Sequence, residues 1–196
     1  MFIQTETTPN PDVLKFLPGR DVLGEGVAEY RNAETAQASP LAQALFGLEG
    51  VRRVFLAGDF LTVTREPDGA SWPQLKAPIL AAIMEHYTSG APMLRAAAGG
   101  EAESGETGHD DTAYEGDTAQ IVAEIKDLLD TRIRPAVAQD GGDITFSRFE
   151  AETGVVWLHM RGACSGCPSS SATLKAGVEN MLKHYVPEVT RVEQTL

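Results

Sequence analysis

A chain of 196 residues with 42% hydrophobic side chains can bury one large or two small cores without covalent staples. Its formal charge of -12, with no dense run of Lys or Arg, excludes an electrostatic footprint for DNA or RNA. No apolar run approaches the roughly 20 residues of a membrane span, and the start Met1 to Glu6 shows neither a signal peptide nor an Arg-rich leader. A cytoplasmic protein is expected, and a processed organelle protein would look the same.

The charge is unevenly placed. Residues 1–95 carry 8 basic and 11 acidic side chains and residues 118–196 carry 8 and 10, whereas residues 96–117 carry none and 7. That middle stretch is rich in Gly, Ser and Glu and has little apolar surface to bury, so it reads as a flexible acidic linker. A run of like charge is usually solvated, which favours a linker over a partner-binding tail. The expected class is α+β: two small mixed domains, 1–95 and 118–196, joined by the linker 96–117.

In the first half, Ser39 before Pro40 is an N-cap with proline at the first helical position, opening a short helix through Leu41, Leu45, Phe46 and Leu48. Val51–Leu56 and Phe60–Thr64 are β-rich runs around Ala57-Gly58-Asp59, which is hairpin chemistry. Leu75, Ile79, Ile83 and Tyr87 recur at helical spacing and predict a helix from about Trp72 to Tyr87. His86, near the end of that helix, is expected at the surface or facing the helix dipole. This half has no cysteine and no phosphate-binding loop.

In the second half, Ile121, Ile125, Leu128, Leu129, Ile133 and Val137 form one stripe of a long helix that Asp117 or Thr118 would cap and Pro135 would strain. Asp140-Gly141-Gly142-Asp143 is a turn, followed by strands Ile144–Phe149 and Val155–Met160, with Trp157 and Met160 expected in the sheet core. A helix over Ser169–Tyr185 presents Leu174, Val178, Met181, Leu182 and Tyr185, and Pro187 ends it. A final strand is expected at Val189–Glu193.

The only cysteines, Cys164 and Cys167, lie in the loop between that strand and that helix. A C-x-x-C loop can close a disulfide, grip half of a zinc site or ligate half of an iron–sulfur cluster. In a reducing compartment, metal binding or redox work is favoured over a structural bridge. Unsatisfied N–H groups and the helix dipole at a helix start are expected to favour thiolate, and Pro168 suits the first helical position. Gly162 and Gly166 leave backbone open to a bulky inorganic group. A four-thiolate cluster needs two chains, because this chain owns two cysteines. His159, His184 and His109 lack the spacing to join the loop and are kept out of the site.

Asp140-Gly141-Gly142-Asp143, the Val155–Met160 strand and Gly162-Ala163-Cys164-Ser165-Gly166-Cys167-Pro168-Ser169-Ser170 resemble the NifU-like C-terminal domain. Thr8-Pro9-Asn10-Pro11-Asp12 with Leu14-Lys15-Phe16, Ser39-Pro40-Leu41-Ala42 and Val63-Thr64 are similar to the N-terminal domain of Nfu-type proteins. The resemblance implies an iron–sulfur cluster carrier rather than an enzyme. Cys164 and Cys167 match the family's ligands, which implies a 4Fe–4S cluster held between two chains of a holo homodimer, with 2Fe–2S as the alternative cluster type. It implies upstream assembly proteins as donors, apo iron–sulfur proteins as recipients and a partner-selecting N-terminal domain.

The rival is a thiol–disulfide oxidoreductase using the same loop. That reading predicts a βαβ setting, an aromatic residue before the first cysteine and a proline between the two. Here Ala163 precedes Cys164, an α-β-β order leads in, and Pro168 follows Cys167. A metal-free adaptor with merely packed cysteines ranks third, since the loop offers two thiols little apolar cover.

Overall fold

The computed structural model describes residues 2–95, 114–165 and 168–195, without the side chains of 168–171. It forms two compact units, Met1–Gly105 and Glu106–Leu196. The expected linker lies outside the described residues up to position 113, and helix begins at Gly116.

The first unit is a five-stranded antiparallel sheet in the order β1-β2-β5-β4-β3. Its strands are β1 (Gln4–Thr7), β2 (Val13–Leu17), β3 (Ala28–Tyr30), β4 (Val51–Leu56) and β5 (Leu61–Arg65). The β4–β5 hairpin matches expectation, with the Ala57 N–H donating to Phe60 O at 2.9 Å across the turn. Three further strands join it. Helix α1 (Pro40–Phe46) starts where the Ser39 Oγ accepts from the Ala42 N–H at 3.2 Å. Helix α2 (Trp72–Ser89) buries Leu75, Ile79 and Ile83 and ends at Gly90, whose left-handed φ of 68° favours glycine. Phe16, Leu61, Val63, Val54, Leu56 and Tyr30 meet these helices in one core.

His86 corrects the sequence reading: it is buried, its Nε2 has no hydrogen-bond partner, and burial pushes its pKa down. The Leu75–Ile79–Ile83 stripe turns it inward.

The second unit is a three-stranded sheet in the order β6-β7-β8, with β6 (Gly142–Glu150) antiparallel to β7 (Val155–Gly162) and β8 (Arg191–Thr195) parallel to it. Before the sheet, the single expected helix is broken into α3 (Gly116–Leu128), a π turn (Leu129–Ile133) and α4 (Arg134–Gln139). Pro135 has no N–H and its ring would strike the carbonyl four residues back, so the preceding turn widens. Glu115 occupies the N-cap instead of Asp117 or Thr118. Helix α5 (Pro168–Tyr185) then connects β7 to β8.

Ile144, Phe146, Val156, Leu158, Met160 and Val192 face the helices and build the core with Ile125, Leu129, Val178 and Leu182. A bulge between Phe146 and Arg148 shifts the alternation by one, which returns Phe149 to the core. Trp157 corrects the sequence reading. With Val156 and Leu158 inward, Trp157 faces the other side, half-buried, under the Arg148 guanidinium at 4.6 Å. Met181 and Tyr185 also fall outside the core; Tyr185 carries the Arg132 guanidinium at 4.8 Å.

Gly154 (φ 69°) closes the unit. Its carbonyl accepts from Thr190 N–H at 2.8 Å, and a Cβ there would strike the Glu188 carbonyl. Glu179 of α5 accepts from the Val192 N–H at 3.0 Å and from Lys183 Nζ at 2.6 Å, tying the helix to β8.

Candidate metal centre

The end of β7 and the start of β6 together seat Cys164. Gly142 pairs with Gly162 across the ladder, and the Ala163 N–H donates to the Gly141 carbonyl at 3.1 Å. The chain then turns: the Ser165 N–H and its hydroxyl both donate to the Gly162 carbonyl, at 3.1 and 3.0 Å. Gly162 has φ 64° and Gly141 φ 81°, so each strand end needs a glycine to make the corner.

Cys164 is 6% exposed, a member of the hydrophobic core. Its Sγ lies against Gly142. A Cβ on Gly142 would collide with that sulfur and come within 2.8 Å of the Arg161 carbonyl oxygen. The sequence reading treated Gly142 as a turn residue; its second role as the seat of a sulfur left only the Gly-Gly pair as a signal.

The thiol is not held as thiolate in this state. Burial pushes the Cys164 pKa up to about 12, and the Asp140 and Asp143 carboxylates add to the rise. Desolvation and two nearby negative charges outweigh the helix-terminus effect expected from sequence. A protonated, enclosed thiol is a poor nucleophile.

Asp143, read from sequence as a turn former, is a buried carboxylate with a dedicated partner. Arg134 Nε donates to its Oδ1 at 2.9 Å and Nη2 to its Oδ2 at 3.3 Å, while Arg134 Nη1 reaches Asp130 at 3.0 Å. Burial works against the Arg134 charge, but its two carboxylate partners prevail and raise its pKa. This clamp joins α4 to the first residues of β6, and its Asp143 carboxylate is one of the two charges that act on Cys164. Nothing in the sequence marked Arg134.

Cys167 and Gly166 lie outside the described residues. His184 is exposed and rests edge-on against Tyr185 at 4.9 Å, and His159 stands on β7 facing away from Met160. Neither is brought to Cys164 by any described contact. His109 lies outside the described residues.

The setting of the loop is β7-α5-β8, a parallel βαβ crossover. The contrast drawn from sequence between an α-β-β lead-in and a βαβ setting therefore does not separate the two readings. The positions of Ala163 and Pro168 still do.

Residues 3–90 match the model for the scaffold protein Nfu/NifU N terminal, and residues 125–193 match the NifU-like domain. The chain is 52% identical over 194 residues to NifU-like protein 5, mitochondrial, of Arabidopsis thaliana, covering 99% of this chain and 68% of that protein. To NifU-like protein 4, mitochondrial, of the same plant it is 52% identical, covering 99% and 66%. To the NFU1 iron-sulfur cluster scaffold homolog, mitochondrial, of Drosophila erecta it is 51% identical over 195 residues, covering 99% and 65%. The chain thus spans about two thirds of the length of these relatives.

Proposed function

The chain belongs to the NifU-like family with an Nfu N-terminal domain, and from that premise we propose that it is an iron–sulfur cluster carrier whose cargo is ligated by Cys164 and Cys167. The observation that carries this reading is the placement of Cys164 on a corner built from three glycines, between a strand end and a helix start. Bare backbone at such a corner admits a bulky inorganic group and offers it N–H donors. The name of the Drosophila relative, an iron-sulfur cluster scaffold homolog, points the same way.

Two thiolates per chain meet the four-thiolate requirement of either cluster type when a homodimer shares one cluster; the family resemblance makes 4Fe–4S the proposed cargo, with 2Fe–2S the alternative. A cluster on a shared interface is only as secure as the dimer, which suits release by ligand exchange to an apo iron–sulfur protein. Assembly proteins upstream supply it. We assign the boundaries 1–95, 96–117 and 118–196 to a partner-selecting domain, a linker and a cargo domain. Among the described residues no helix is long and apolar enough to cross a membrane. A cytoplasmic setting is our proposal for this chain, and the mitochondrial names of the relatives make the matrix the alternative.

Transfer is tested directly. Protein reconstituted without oxygen is mixed with an apo 4Fe–4S enzyme and the recovery of its activity followed. Recovery with the wild type and none with Cys164→Ser or Cys167→Ser supports the carrier; equal recovery with both variants places the ligands elsewhere.

A further inference from the structure

Arg161 is the penultimate residue of β7, three positions before Cys164. It is 6% exposed, and its Nη1 is buried with no hydrogen-bond partner. The ladder sets it directly opposite Asp143, the carboxylate placed to neutralise it. Both Asp143 oxygens are taken by Arg134 instead, and among the described residues no carboxylate pairs with Arg161.

A guanidinium stays charged at any pH the protein meets, so its burial cannot be relieved by losing a proton. Without an anion, that burial costs free energy. Thr145, Trp157 and Thr195 also hold buried polar atoms without partners, but they are neutral and the cost of each is smaller. Arg65 also hides one nitrogen without a partner, but its guanidinium pairs with Asp12 at 2.7 Å. Among the described residues of the second unit Arg161 alone brings a full charge to this set, and it stands at the end of the strand that delivers Cys164.

We propose that Arg161 is the counter-charge for the anionic cargo of the cysteine loop. This rests on the carrier reading of that loop. Four thiolates around an iron–sulfur core leave a net negative charge, and the surrounding charge tunes both retention and reduction potential. Each chain that lends two thiolates also lends one Arg161. Three residues of extended chain span at most about 10 Å, and the turn closed by the Ser165 N–H on the Gly162 carbonyl shortens that path. Away from bulk water a charge is attracted far more strongly than in solvent. Arg161 acts through its field and ligates nothing.

The consequence is a reversal of sign between the two states. Removing the charge relieves an unpaired cation in the apo-protein and removes an attraction in the loaded one. Arg161→Gln and Arg161→Lys are purified as full chains, melted without metal, then reconstituted anaerobically and challenged with an iron chelator. Arg161→Gln is expected to melt above the wild type as apo-protein, to lose its cluster about tenfold faster, and to show a more negative reduction potential. Arg161→Lys is expected to retain the cluster as the wild type does. Equal cluster lifetime and potential in Arg161→Gln overturns the proposal, as does a lowered apo melting temperature, which marks a structural residue. Equal failure of the lysine variant also overturns it, because shape and not charge would then matter. A wild type that takes up no cluster refutes instead the carrier reading on which the proposal rests.

Discussion

The sulfur of Cys164 rests on the α-carbon of Gly142, so the first cysteine of the loop is seated by a residue of the neighbouring strand. The loop's shape is therefore a property of the β6–β7 ladder as much as of its own residues. A side chain at position 142 has to displace the sulfur or the Arg161 carbonyl.

Gly142→Ala is accordingly expected to destabilise the apo-protein by about 1–3 kcal/mol, the range for forcing a methyl group into a filled site. Urea denaturation measures it. In a Cys167→Ser background, a thiol reagent should label Cys164 faster in the alanine variant than in its parent. Unchanged stability and labelling would mean that the sulfur sits away from Gly142.

The Arg134–Asp143 clamp yields a second expectation. Asp143 is almost wholly enclosed, with 8% of its side chain exposed, while Arg134 keeps 38%. Arg134→Ala leaves a buried carboxylate without its two donors and is expected to cost about 2 kcal/mol, the scale of hydrogen bonds to a charged group. The exposed part of Arg134 keeps the loss below that of a fully buried pair. A double-mutant cycle with Asp143→Asn should show strong coupling, and additive effects would contradict the pairing.

How much of this was legible in the sequence depended on whether the signal was local. Ser39-Pro40 announced α1, the Leu75–Ile83 spacing announced α2, and the two cysteines announced the site, because each is a short-range chemical pattern. Ala28-Glu29-Tyr30 is too short to alternate visibly and becomes a strand only because β4 lies beside it. The direction of β8 was hidden too, since a strand carries no mark of whether its neighbour runs parallel. Trp157 reads from sequence as a core residue of its strand, yet the inward positions belong to Val156 and Leu158. Arg134 and Asp143 lie nine residues apart on different elements, and only the fold turns them into a pair.

Glu179 provides a pH test. The Lys183 hydrogen bond, reinforced by the Val192 N–H, holds its folded pKa below the ordinary carboxylate value. A group depressed in this way adds stability above its unfolded pKa, and that contribution disappears as the pH falls through the folded value. The stability difference between wild type and Glu179→Gln should therefore be present at neutral pH and shrink below about pH 4.3, where free glutamate protonates. Denaturation curves across that window measure it, and a difference independent of pH would show that the carboxylate charge plays no part in the tie to β8.

Sharing of the cargo between two chains is the central claim, and one measurement addresses it most directly: anaerobic reconstitution with iron and sulfide, reading metal and sulfide per chain together with mass in solution. The result expected is about four irons and four sulfides per two chains, with the dimer present when the cluster is bound. A protein that takes up no cluster and forms a readily reversible bridge between Cys164 and Cys167 would contradict it and favour the oxidoreductase.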